Sequence, residues 1–279
     1  MLSLIFESTE REPRTANRGQ RGAGSGERTA ETMTDIRRAQ DQLFDRRQSA
    51  REKYASLVVG RPGWGALLKH EAVTLLSQSV PGALGFALRK ALYPSLLGAC
   101  GRGVIFGQNV VLRHPHKIRL GDNVVIDDNC LVDAKGETNH GITIGDGVFI
   151  GRNTILSCKD GDITIEAGAN IGFNCEIFSA SQVRIGRDTL LAAYCYLIGG
   201  DHDFSDPNQA VIAQGRTSAG VSLGSGAWLG AGAKILDGVT IGDRAIVGAA
   251  AVVRTAVPAG AIAAGIPAKI IGMREGTAQ

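Results

Sequence analysis

The chain has 279 residues, 5% aromatics, 38 glycines and a formal net charge of +3. That length holds one or two domains with a sizeable core. The small charge, with no basic stripe interleaved with aromatics, speaks against a nucleic-acid partner. No uninterrupted apolar run is long enough to span a membrane. Leu2 to Phe6, followed by Glu7, is too short for the apolar region of a signal peptide.

Residues 1–33 form the expected disordered leader. They are rich in Arg, Gly, Ser, Thr and Glu, lack apolar periodicity, and turn low-complexity at Gln20 to Glu27. Met33 is an alternative start. The region 34–98 reads as helical. A charged helix is expected from Thr34, as N-cap, to about Lys53. After the breaker Arg61-Pro62-Gly63, two apolar helices are expected at Trp64 to Ser79 and Ala83 to about Leu92. Their apolar residues include Leu67, Leu68, Leu75, Leu76, Leu84, Phe86, Leu88 and Leu92, interrupted by Lys69, Arg89 and Lys90. Such a pair can cap an open solenoid end. It can also lie on a membrane, giving a peripheral contact through residues 64–97. The two readings are compatible.

From Cys100 a period of six takes over, and it is cleanest from Leu223 to Pro258. The first position reads Leu223, Leu229, Ile235, Ile241, Val247, Val253. The fifth reads Ala227, Ala233, Val239, Ala245, Ala251, Val257. A helix repeats at about 3.6 residues and an open strand at about 2, so neither yields a strict six. Three six-residue strands making one triangular turn do, and hexad periodicity marks a parallel β-helix. Coils start at Cys100, Leu120, Ile144, Ile165, Ile185, Leu223 and Ile241, which gives about seven coils over residues 99–271. The fold class is therefore an all-β solenoid preceded by a short α-helical region. Surplus residues always follow the third hexad, so insertions leave from one edge of the prism. The largest lies between Gly199 and Val221, and insertions of that size tend to be functional. Beyond Pro258 a last coil is expected to decay toward Ile271, followed by a tail at 272–279.

The five cysteines form no CxxC pair. Cys130, Cys175 and Cys195 fall on the inward fifth position, which reads as core in a reduced, cytoplasmic chain. His202 stands in the largest insertion between Asp201 and Asp203. Asp201 would point inward if the hexad continued, and a buried carboxylate without a partner is costly, so the chain is expected to leave the coil at Gly199 or Gly200. That places His202 at the loop root. Imidazole accepts a proton near neutral pH, and either neighbouring carboxylate could orient the ring.

Residues 100–271 resemble the hexapeptide-repeat acyltransferases. IGFNCEI at 171–177, GDHDFSDPN at 200–208, the run 227–253 and AAGIPAKII at 263–271 are similar to the maltose/galactoside and polysaccharide O-acetyltransferase branch. The segment 81–98 is similar to the region before the solenoid in sugar O-acetyltransferases of exopolysaccharide pathways. The resemblance implies a left-handed β-helix, an exception to the right-handed crossover rule. It implies a homotrimer and acetyl-CoA as acyl donor. The acceptor would be a small molecule or a polysaccharide precursor. It also implies a cytoplasmic location, at the inner face of the membrane if the helices bind there. His202 would be the general base, with Asp203 or Asp201 beside it, and Asn174 would contact the acceptor. Gly230, Ala231, Ala249 and Ala250 would line the coenzyme A groove between subunits. Trp228 would flank the pantetheine arm and Lys269 would meet a phosphate. Ala250 departs from the family, which commonly has Gly there. Serine O-acetyl transfer, N-acyl transfer and a non-catalytic scaffold remain alternatives. A zinc protein like the γ-type carbonic anhydrases is disfavoured and no metal is expected. His114 and His116 are too close in sequence, and His202 lies two coils, about 10 Å, beyond His140.

Overall fold

The computed structural model describes residues 47–274. The expected leader, Met33 and the first part of the helix from Thr34 lie outside that range, as does most of the tail. Within it the expected helix does not run on to Lys53 from upstream. Arg47 and Gln48 form a turn and a bend, and Ser49 starts a new helix, Ala50–Tyr54. Ser49 Oγ accepts the Glu52 N–H and the Glu52 carboxylate accepts the Ser49 N–H, so a reciprocal capping box sets this start. A π-helical turn, Ala55–Val59, follows and ends at the left-handed Gly60.

Two helices come next, Trp64–Ser77 and Gly82–Leu92. They cover the first coil as a cap. Asn109 N donates to Gln78 O at 2.9 Å and His114 N to Val58 O at 2.7 Å. Tyr93 Oη donates to Val110 O at 2.8 Å, with its ring edge-on to Phe106. The side chains on the capping face differ from expectation. Of the apolar residues expected to dock, Leu67 is buried, whereas Leu68, Leu75, Leu76, Leu84 and Phe86 are exposed. His70, Ser77 and Arg89 are buried instead, each bonded to backbone carbonyls.

The solenoid consists of three parallel sheets. The first has seven strands: 99–100, 118–120, 142–144, 162–165, 182–185, 221–223 and 240–241. Each ends on the residue at which the hexad pattern begins a coil. The third face also has seven strands, from Val111–Arg113 to Val252–Val253. The second has nine, because Ala261–Gly265 adds an eighth parallel strand and Ala268–Met273 returns antiparallel to it. The last coil therefore does not decay. It ends in a hairpin in which Ala268–Met273 covers the edge of Ala261–Gly265.

Both inward positions of the hexad are buried. Leu223, Leu229, Ile235 and Ile241 are fully covered, as are Ala227, Ala233 and Ala245. A fully buried aliphatic side chain contributes about 1.5–3 kcal/mol. Cys130, Cys175 and Cys195 are inside as expected, and burial pushes the Cys130 thiol up to about 11. Corners between the second and third faces take left-handed backbone at Asn109, Asn129, Asn153, Asn174, Tyr194 and Ala250. Asn tolerates that conformation better than other side-chain-bearing residues. Adjacent amides also bond along the stack, Asn109 to Asn129 at 3.2 Å and Asn153 to Asn174 at 3.1 Å.

The junction of cap and solenoid carries a pH dependence. Burial, then the charges of Arg61, His114 and Lys117, push His116 down to about 4. Its Nδ1 is buried without a hydrogen-bond partner. The unfolded chain binds this proton near pH 6.5 and the folded chain does not, so stability is complete above about 6.5 and falls as pH drops toward 4. Melting temperatures measured from pH 7 to 4 should fall across that window, and less steeply in His116→Asn. Identical slopes would rule out this residue as the source.

Candidate active site

The third face runs from Tyr196 to Gly199 in its fifth strand, pairing Gly199 with Ser179. There the chain leaves the coil, as the inward-carboxylate argument requires. Gly200 has φ +151°, and a Cβ on it would come within 2.6 Å of the Ala180 Cβ, so this exit needs glycine. The insertion is not an unstructured loop. Asp201–His202 pairs antiparallel with Arg216–Thr217, opposing His202 to Arg216. Gln214 closes the distal part, with its Oε1 accepting Asp206 N at 2.9 Å and its Nε2 donating to Asp206 O and Gln209 O. Ser218 Oγ ties the returning strand to Gly199 O at 2.9 Å.

His202 is exposed at the root of this hairpin, against the edge between the third and first faces. Among the described residues no hydrogen bond reaches its ring. Neither neighbouring carboxylate orients it within the chain. Asp201 Oδ1 accepts the His202 N–H at 2.7 Å. Asp203 Oδ1 accepts Ser205 N at 2.9 Å, and that bond holds its carboxyl below the ordinary range. Both acids shape the backbone that carries the imidazole.

Sequence reasoning missed four neighbours. Phe178 packs beside Gly200, 3.6 Å from where a Cβ would sit. Lys159 Nζ lies 5.8 Å from the Phe178 ring centroid. Burial, with the Arg216 and Lys135 charges nearby, holds the Lys159 ammonium below its ordinary value. Lys135, Lys159 and Arg216 therefore gather on the insertion edge, beside Asp133 and near the Asp201 and Asp203 carboxylates that flank His202. The available signal was positional: Lys135 and Lys159 each hold the fourth place of the third hexad that precedes an insertion, and Arg216 returns the longest one.

The other expected residues lie elsewhere. Asn174 sits on the opposite edge of the third face, left-handed and bonded to Asn153. Gly230 and Ala231 lie at that same edge two coils further on, and Ala249 and Ala250 one coil beyond them. Ala231, Ala249 and Ala250 are exposed. Gly230 is buried, and a Cβ there would come within 2.5 Å of Ala249 N, so its bareness serves coil stacking. Ala250 adopts φ +56°, the conformation a Gly would take without strain. Trp228 is half-exposed on the second face and Lys269 is exposed on its terminal strand, three strand steps or about 14 Å away. Six residue steps lead from Tyr194 at one edge to Gly200 at the other, a span of about 20 Å. Within one chain Trp228 therefore flanks the small-residue edge, Lys269 stands about 14 Å from Trp228, and His202 lies a face-width away.

Among the described residues no group of three or more His, Cys, Asp or Glu side chains could hold a metal ion. His114 is buried, with Nε2 2.9 Å from Ser56 O, whereas His140 is exposed, with Nδ1 3.2 Å from Asp162 Oδ2. These two serve different contacts.

Residues 220–255 match the family described as bacterial transferase hexapeptide (six repeats). A 164-residue stretch, 59% of the chain, is 30% identical to the probable acetyltransferase Rv3034c of Mycobacterium tuberculosis and covers 54% of it. The chain thus spans about half the length of that curated relative. Among solved structures, the N-acyltransferase AntD from Bacillus cereus, in complex with dTDP and 3-hydroxybutyryl-CoA, aligns with TM-score 0.49 and 21% identity, over 71% of this chain and 91% of its own. A maltose O-acetyltransferase from Clostridium difficile 630 aligns with TM-score 0.41 and 19% identity, over 75% and 86%. The late coils of this solenoid carry the hexapeptide repeat of bacterial transferases.

Proposed function

We propose that the protein transfers an acetyl group from acetyl-CoA to a hydroxyl of a sugar or polysaccharide precursor, with His202 as general base. The observation that carries this reading is the placement of His202. It is an exposed imidazole, free of ring hydrogen bonds among the described residues, at the largest break in a hexapeptide solenoid. The stretch shared with a probable acetyltransferase supports the reaction class.

An alcohol is a poor nucleophile at neutral pH. His202 would take its proton as the oxygen attacks the thioester carbonyl. The C–S bond then breaks, the ester departs, and the thiolate of coenzyme A takes up the proton from His202. Backbone N–H groups would stabilise the oxyanion. No serine or cysteine nucleophile is needed. The exposed small residues Ala231, Ala249 and Ala250 leave room for a pantetheine arm beside Trp228, and Lys269 on the same sheet offers a cation to a phosphate.

His202 and this edge lie too far apart in one chain to share a substrate. A second copy, setting its small-residue edge against the hairpin, would complete the site, and three copies close such a head-to-tail contact into a ring. Light scattering at micromolar concentration should give the mass of a trimer. A fully active monomer would overturn the shared-site reading.

The test of the activity is a mass-spectrometric screen. Acetyl-CoA would be offered with neutral sugars, uronic acids, nucleotide sugars, amino sugars and serine. A mass gain of one acetyl group on a hydroxyl acceptor is expected. The charges of Lys135, Lys159 and Arg216 favour acceptors that carry an acidic group, so uronic acids and nucleotide sugars should outrank neutral sugars. Transfer only to an amine would replace O-acetylation by N-acylation, and no transfer to any acceptor would leave a binding scaffold.

A further inference from the structure

We propose that the helical cap is also a membrane-docking surface: its outward face inserts among the headgroups of an anionic bilayer, and a cationic cleft at its rim takes a lipid phosphate. The first observation is that the helices are apolar on the face turned away from the solenoid. Their buried face carries Leu67 and Val73 together with His70, Ser77 and Arg89, the last three at 5%, 0% and 3% exposure. Their outward face carries Trp64, Leu68, Leu75 and Leu76 on the first helix, and Leu84 and Phe86 on the second. Leu75 is 85% exposed, Leu84 65% and Trp64 61%. Trp64, Leu68 and Leu75 recur at helical spacing, with Ala72 between them, so they form one continuous stripe. The cap already closes the solenoid with its other face, so packing within the solenoid does not account for this stripe.

The second observation is charge. Arg61 and Lys69 line a cleft of about 50 Å³ that also touches His70, Ser95, Leu96 and His116. Lys69, whose ammonium donates to Ser95 O at the cleft, lies one turn from Ala72 in the stripe, so the cleft adjoins the apolar face. Arg51 stacks over the Trp64 ring at 4.5 Å from its centroid, and Lys90 is exposed on the second helix. The acids of this layer are already engaged, Glu52 by the Ser49 cap and Glu71 by the Tyr54 hydroxyl at 2.6 Å. An apolar centre with an aromatic and basic fringe matches a bilayer interface, where acyl chains lie under phosphates. A second copy docked by the same face would oppose these cations to themselves. No helix among the described residues is long and apolar enough to cross a membrane, so the contact is peripheral.

The test uses the full chain and flotation with vesicles of phosphatidylcholine, with and without equal phosphatidylglycerol. The chain should float with the anionic vesicles and be released by high salt. The double variant Leu68→Asp with Leu75→Asp should lose at least about tenfold in bound fraction at unchanged melting temperature, because both side chains are exposed. Arg61→Gln with Lys69→Gln should weaken binding to anionic vesicles alone. The proposal is overturned by absence of flotation or by flotation that survives the Asp pair. A drop in oligomer mass in the Asp pair without vesicle binding also overturns it, and assigns the stripe to protein contact. None of these readouts depends on acyl transfer, so the two proposals fail separately.

Discussion

His202→Ala should lower kcat by about 10²- to 10⁴-fold, the usual contribution of a general base, with the melting temperature unchanged. The two halves of that expectation rest on different observations. Stability is spared because the side chain is exposed and among the described residues its ring holds nothing. The hairpin is held by Asp201–His202 against Arg216–Thr217, by Ser218 and by Gln214, and Ala leaves all of these in place. Rate is lost because an imidazole is the group in this insertion whose ordinary pKa lies near the working pH. Asp203 cannot substitute, because its carboxyl is held low by the Ser205 N–H and is a weak base. Asp203→Asn and Asp201→Asn should each cost less, through the turn rather than the proton, and their pH–rate profiles should keep the wild-type midpoint. His140→Ala, exposed on an earlier insertion, is the control and should retain full rate. If His202→Ala keeps more than about half of the rate with a true acceptor, the base lies elsewhere.

The second large effect is on folding. Arg89→Met should cost several kcal/mol, detach the cap from the first coil and make the protein aggregate. Arg89 is 3% exposed and, among the described residues, has no carboxylate partner; three carbonyls surround its guanidinium. Nε donates to Phe106 O at 3.0 Å, and Nη1 donates to Ser77 O at 3.0 Å and Val80 O at 2.8 Å. Ser77 ends the first cap helix, so Arg89 supplies donors to carbonyls that a helix terminus leaves unpaired. The positive charge also suits the negative end of that helix. Met keeps the stem but removes every donor, and each buried carbonyl left unpaired costs about 1–3 kcal/mol. Chemical denaturation followed by helical circular dichroism should show the cap lost before the solenoid. Arg89→Lys should recover only part, since one ammonium cannot reproduce the planar fork. A melting temperature equal to wild type in Arg89→Met would refute the account.

The hexads from Leu223 to Pro258 carried the fold without any tertiary information. In a narrow prism every inward position must be aliphatic or small, so periodicity and packing are the same constraint. The exit at Gly200 was legible for a related reason, because a carboxylate at Asp201 could not have stayed inside. The candidate base could be located because a regular scaffold makes its one long interruption conspicuous. Its setting could not be read in the same way. Asp201 and Asp203 flank His202 in sequence, but which oxygens meet which donors depends on the hairpin turn, and both went to backbone N–H groups. Lys159 and Phe178 come from earlier coils and reach Gly200 only because coils stack.

The cap shows the limit most clearly. Its helices were legible, since Pro62, Gly63, Pro81 and Gly82 break the chain whatever surrounds it. Which face turns inward was not, because hydrophobicity predicts burial only when the sole alternative is water. Here the inner face meets carbonyls left unpaired at a helix end and at the first coil, so Arg89 and His70 share it with Leu67 and Val73. The tertiary structure alone put Arg89 inside and Leu75 outside.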